Sequence, residues 1–300
     1  MKITKTKLKQ IIKEEVVKLL VEQDEYDYDD YDYEEEELTP AQKIIKLLSS
    51  DDSANVEQGL TILDALEDQQ LIDTIASHFV LSSDGRITIR SFKIPEETFW
   101  MILNYFAEKS DRVKNMLAQI ESLDISNDFI TKVDFLRFCT NLTSLELLAL
   151  ESLQNVDGLQ GLTNLAWLNL GDCELLQNVN GLQGLTNLTT LYLSYCSSLK
   201  NVNGLKGCTS LTKLDFAFCE SLQNVNGLQG LTNLTTLNLG DCWSLQNVDG
   251  LEGCTNLNWL SFYGSTSLPI KLQKLFESDV YDTAYEKFMK ALNESKRNRP

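Results

Sequence analysis

Histidine is almost absent. His78 is the only one in 300 residues, and a lone imidazole needs a partner to become a base or a metal ligand. It stands beside Phe79 in a helical pattern, with no Cys or His at metal spacing, so chemistry is not expected there. The loops "DDSAN" and "SSDGR" fall short of a full calcium ligand set. Long apolar runs are missing too: no stretch of about 18 residues could form a membrane-spanning helix. The opening "MKITKTKLKQIIKEEVVKLL" lacks the apolar core and small-residue cleavage site of a secretory signal. Positive charge is scarce, with 26 Lys and Arg against 44 Asp and Glu, a formal charge of -18 and a pI near 4.5. That balance argues against indiscriminate attraction to nucleic acid or anionic lipid. No CxxC occurs. The seven cysteines all fall between Cys139 and Cys254, spaced as if by a repeat. They read as buried free thiols in a reducing compartment, which makes a cytoplasmic location the expectation.

What is present is a repeat of 23 residues. Copies begin at Cys139, Leu162, Leu185, Cys208, Leu231 and Cys254. One apolar column runs Leu142, Leu165, Leu188, Leu211, Leu234, Leu257. Others run through Leu145 to Leu260 and through Leu147 to Phe262, and Leu153 and Val156 open two more. Apolar residues two apart, such as Leu168 and Leu170, make a short strand with both side chains on one face. Three residues on, a small buried side chain recurs as Cys173, Cys196, Cys219 and Cys242, with Leu150 in the first copy. Gly158, Gly181, Gly204, Gly227 and Gly250 are read as permitting a tight return. A single copy cannot bury its apolar face, whereas stacked copies share one core.

The phrases "LTNLTTLYLSYC" and "LTNLTTLNLGDC" resemble the leucine-rich repeat pattern LxxLxLxxC, the cysteine-containing variety, and suggest a bacterial protein. The resemblance covers about residues 139–268. It implies an α/β solenoid with a parallel sheet lining a concave face that often holds a partner. It implies no catalytic residue and no cofactor. The asparagine common at the turn in relatives is missing, so a cysteine layer is expected in place of an asparagine ladder. Ile120, Leu123 and Ile125 look like an imperfect earlier copy displaced by one residue. At the other end Ser265 replaces the cysteine and Pro269 ends the register. Leu272 to Met289 then suggest a C-terminal capping helix, a cover that open solenoid ends need.

Residues flanking the strand leucines are expected to face outward and to vary between copies. The candidate binding set is Trp167, Asn169, Asp172, Tyr192, Tyr195, Lys213, Asp215, Phe218, Asn238, Asp241, Trp259 and Tyr263. Aromatics supply large contact area at modest ordering cost, which suits a protein or peptide partner. Between residues 139 and 268 there are ten Asp or Glu and three Lys or Arg, which argues against a nucleic-acid groove. Asp172 and Asp241 lie three copies apart, roughly 15 Å at parallel-strand spacing, too far for a glycosidase pair. Cysteines aimed into a core would form thiolates poorly, which weighs against Cys-based catalysis.

Residues 40–115 are expected to form a mostly helical cap. Pro40 falls in a first helical turn. Val56, Leu60, Leu63, Leu66, Leu71, Ile75 and Phe79 follow at helical spacing. "SSDGRITI" adds a turn and brief strand, and helix resumes from "PEETFW". The stretch "LLSSDDSANVEQGLTILDAL" is similar to helical leaders of bacterial leucine-rich proteins. Before it, residues 1–21 read as a basic amphipathic helix. Residues 22–39 read as an extended acidic tether, with ten carboxylates and four tyrosines between Asp24 and Glu37. The helix suits a recruitment or sorting tag that docks a second partner, a segment folded back on the body, or membrane-surface contact. The leading reading is a non-enzymatic protein-interaction module. A structural or assembly protein, and an effector delivered by a non-classical route, are the alternatives. An enzyme ranks last.

Overall fold

The computed structural model describes residues 40–82, 87–89, 96–125, 130 and 132–268, with Gln10 and Glu14 alone before them. These two are helical, and the Gln10 amide donates to the Glu14 carboxylate at 2.7 Å. The rest of the amphipathic tag, the acidic tether and the C-terminal capping helix lie outside the described residues. The chain divides into two compact units between Ala118 and Gln119.

The described residues of the first unit are helical with one small antiparallel strand pair. Helix α1 (Pro40–Leu48) buries Ile44, Ile45 and Leu48. It packs on α2 (Ser53–Leu66) at Gly59, where a side chain would stand 3.1 Å from the Leu47 Cβ. Asp52 caps α2 by accepting from the Ala54 amide at 2.9 Å, satisfying one of the free donors of a helix start. Asp68 does the same for α3 (Gln69–Ala76) through the Leu71 amide. Helical periodicity carries as far as Ile75 and then fails. Phe79 starts strand β1 (Phe79–Leu81), antiparallel to β2 (Ile87–Ile89), and is buried against Phe106 with ring centroids 5.3 Å apart. Spacing from Ile75 fits a helix, but β-branched and aromatic residues from Phe79 onward fit a strand better once a partner strand is within reach. Helices α4 (Glu96–Lys109) and α5 (Asp111–Leu117) part at Ser110, which is buried and donates to Asp73 at 3.2 Å. Asp64 takes the Lys109 ammonium at 2.8 Å and the Tyr105 hydroxyl at 3.2 Å, and these bonds, Lys109 first, hold its carboxyl below the usual range.

The described residues of the second unit form one parallel sheet of seven three-residue strands in chain order. They are β3 (Ser122–Asp124), β4 (Ser144–Glu146), β5 (Trp167–Asn169), β6 (Thr190–Tyr192), β7 (Lys213–Asp215), β8 (Thr236–Asn238) and β9 (Trp259–Ser261). From β4 onward each residue pairs with the one 23 positions later, so every central leucine falls on the next. Between β3 and β4 the step is 22, with Leu123 against Leu145. Ile125 donates to Glu146, keeping that shorter step, whereas the Val133 carbonyl faces Gly158 as Val156 faces Gly181, in the 23-residue register.

The leucine, valine and cysteine columns are buried throughout, and Leu168, Leu191 and Leu237 are fully enclosed. Each such side chain contributes about 1.5–3 kcal/mol on leaving water, provided a neighbouring coil covers it. Opposite the sheet, each coil closes in a 3₁₀ turn such as Asn203–Leu205. The glycines at these turns serve close approach, not a left-handed bend. A Cβ on Gly181, Gly204 or Gly227 would stand 1.8–1.9 Å from the valine carbonyl oxygen of the preceding coil. Left-handed φ angles belong to Gly161, Gly184, Gly207 and Gly230 three residues on.

Candidate binding face

Each strand buries its central leucine and leaves both neighbours part-exposed or exposed. The predicted set divides accordingly. Trp167 and Asn169 lie on β5, Tyr192 on β6, Lys213 and Asp215 on β7, Asn238 on β8, and Trp259 on β9. Trp167 and Tyr192 meet across adjacent coils with centroids 6.0 Å apart, and the Lys213 ammonium lies 4.9 Å from the Tyr192 ring centre. A cation held over a ring face is attracted by its quadrupole. Three polar members also serve the scaffold. Asn169, Asp215 and Asn238 each accept from the backbone amide two residues on, at 2.9–3.1 Å. Such bonds fix the turn that follows the strand. Asn169 also donates to Glu146, whose carboxyl is pushed up by burial and by Asp124, against the pull of that bond.

The remaining members sit in the turn itself. Asp172, Tyr195, Phe218 and Asp241 occupy one register position in four successive coils, all left-handed, with φ of 58°, 63°, 60° and 54°. That region is uncommon for any residue with a Cβ and an outlier for a bulky one. The next coil has Gly264 there, and the Asp241 carboxylate fills the space its side chain would take. Tyr195 and Phe218 stack face to face, centroids 4.5 Å apart and 6° from parallel. Two coils intervene between Asp172 and Asp241, so the structure does not bring these carboxylates together. Tyr195 is 48% exposed and Tyr263 75%. Trp243 and Leu175, 47% and 48% exposed, were absent from the predicted set. Their signal was available: other copies have Glu174, Ser197 and Glu220 where Trp243 stands, and serine where Leu175 stands.

Beneath the turn lies the cysteine layer. Cys173, Cys196, Cys219 and Cys242 each donate to a carbonyl 26 residues back, at 3.1–3.3 Å. Ser265 continues the ladder, donating to Leu239 at 2.6 Å, so the change from cysteine keeps the bond. Cys208 and Cys254 make a second, shorter column on Leu182 and Leu228. All seven thiols are free and buried. Burial pushes Cys173 up to about 11 and Cys139 and Cys242 up to about 12. At the exposed rim, Asn164, Asn187, Asn233 and Asn256 donate to threonine carbonyls 24 residues back. Among the described residues no cluster of His, Cys, Asp or Glu could hold a metal ion, and no helix is long and apolar enough to cross a membrane.

In-register parallel strands, buried leucine columns and a closing 3₁₀ turn in every coil define a leucine-rich repeat solenoid. Residues 148–269 match the family model for the BspA type leucine rich repeat region in six copies. The matched segment is thus made of leucine-rich repeats, four of them with a cysteine on the ladder. Among solved structures it is similar to an internalin (inlF) from Listeria monocytogenes, at 21% identity, 54% of each chain and a TM-score of 0.39. Internalin C2 of the same organism is 22% identical over 55% of this chain and 88% of that one, TM-score 0.38. The leucine-rich repeat domain of the type III effector XopL is 16% identical over 79% and 93%, TM-score 0.29. This chain thus spans about half the length of the inlF internalin. A comparison with curated proteins gives no match.

Proposed function

We propose that this chain is a non-enzymatic module that holds a protein or peptide against the strand face of its repeats. The observation that carries this reading is the contrast within each strand. The central leucine never changes, while its accessible neighbours range over Trp167, Tyr192, Lys213 and Trp259. Invariant buried positions maintain the coil, and varied aromatic ones add contact area that the coil does not need. The raised, buried thiols leave the cysteines without the exposed thiolate that nucleophilic chemistry requires. In this reading residues 40–115 are a helical unit preceding the solenoid of 116–268, and 269–300 close it. Residues 1–21 recruit the module elsewhere through the tether of 22–39, and the module works in the cytoplasm or after non-classical delivery.

The test is affinity capture by the full chain and by its W167A/Y192A/W259A variant, with mass spectrometry of what each retains. The variant should lose the partner retained by the parent and keep its melting temperature within a few degrees. Undiminished capture would remove the strand face from the binding site.

A further inference from the structure

The geometry points to a second recognition strip, formed by the turns after β5 to β8 and shaped for an extended peptide carrying arginine or lysine. It rests on the reading of the repeats as a protein-interaction module and names a partner chemistry for it. Four neighbouring coils place Asp172, Tyr195, Phe218 and Asp241 at one register position. Their amides all donate to the next coil, at 2.6–2.9 Å, so the four are held at regular spacing. The two rings form a parallel stack with a carboxylate-bearing coil on either side. Trp243 and Tyr263, in the turns of the next two coils, are exposed as well.

Charge selects the occupant. From the last strand residue to two positions past the cysteine column, the six coils from Glu146 to Ser267 hold seven carboxylates and no Lys, Arg or His. A guanidinium can stack on a ring and pair with a neighbouring carboxylate at once, because it is planar and carries donors on its edge. The strand face already holds a cation near a ring, with the Lys213 ammonium 4.9 Å from the Tyr192 ring centre. Coils about 5 Å apart put the backbones of the two aspartates some 15 Å from each other, which an extended chain spans in about four to five residues. The matching ligand therefore carries two cationic side chains about four positions apart, one at each end of the ring stack.

The probe is a fluorescein-labelled glycine–serine peptide carrying two arginines four positions apart, titrated with the full chain by fluorescence anisotropy. Its counterpart has citrulline, which keeps the shape and removes the charge. The citrulline peptide should bind at least tenfold more weakly. Y195N/F218N and D172N/D241N should each weaken the arginine peptide by a similar factor, while D157N/E252Q, an equal loss of charge elsewhere, should change it less than twofold. Asparagine accepts left-handed backbone, so Y195N/F218N should melt no lower than the parent. No binding of the arginine peptide, equal binding of the citrulline peptide, or binding that survives Y195N/F218N overturns the strip. Equal losses in D157N/E252Q do so too, since they assign binding to bulk charge. Partner capture that still depends on Trp167, Tyr192 and Trp259 would then leave the strand-face reading standing.

Discussion

Gly204 and Gly207 stand three residues apart in one coil and answer to different constraints. At Gly204 a methyl group would lie 1.9 Å from the Val179 carbonyl oxygen, and a backbone atom cannot rotate away. At Gly207 the obstacle is the φ of +91°, with no atom nearer than 3.9 Å. Alanine at 207 should therefore cost about 1–2 kcal/mol, the usual strain of left-handed backbone. Alanine at 204 must force two coils apart and should cost about 3 kcal/mol or more, at or above the usual range for overpacking. Urea denaturation of G204A and G207A checks the order, and equal midpoints would mean that the coils yield more easily than the contact implies. The same logic applies in reverse at Tyr195 and Phe218. Bulky residues in left-handed backbone cost stability at their own positions, and their ring stack recovers only about 0.5–1.5 kcal/mol of it.

At the scale of the element, the cysteine ladder links packing to pH. Each thiol stays protonated in the folded coil, donating to a carbonyl, with its pKa raised by burial to about 11 at Cys173 and about 12 at Cys242, from 9.0. A folded pKa above the unfolded one means stability that is complete below pH 9 and lost as pH rises toward 11 and 12. The loss is about 1.4 kcal/mol per pH unit per thiol within that window. Replacing all four rungs with serine, as Ser265 already does naturally, should preserve the sheet at neutral pH and flatten the alkaline limb. Circular dichroism of C173S/C196S/C219S/C242S between pH 8 and pH 12 measures this, and an unchanged limb would show that other groups govern alkaline unfolding. The ladder was legible in the sequence because a strict period multiplies one signal across six copies, and the buried leucine columns were legible for the same reason. Features without that repetition were not. Phe79 continues a helical spacing and yet pairs as a strand, since pairing depends on a partner, Ile89, ten residues away. Nothing about tyrosine or phenylalanine announces left-handed backbone at 195 and 218; the turn shared by neighbouring coils imposes it. Trp243 and Leu175 fell outside the predicted face because they lie past the strand, where the copies otherwise carry polar residues.

At the scale of the whole molecule, charge and contact are separable. Ten of the 44 acidic residues lie between Asp24 and Glu37, so deleting 24–37 takes the formal charge from -18 to -8. Net charge acts at long range and sets how fast a cationic partner arrives; short-range contacts set how long it stays. Deleting the tract should therefore slow association of the arginine peptide at low salt and shrink its salt dependence, with dissociation unchanged. The Y195N/F218N variant should show the converse, faster dissociation with association nearly intact, because it removes ring faces and no charge. Stopped-flow mixing at two ionic strengths, either side of a Debye length of about 10 Å, resolves the two rates. If the deletion instead speeds dissociation and the ring variant does not, the peptide is held by the tract, and the turns after the strands are a surface without that ligand.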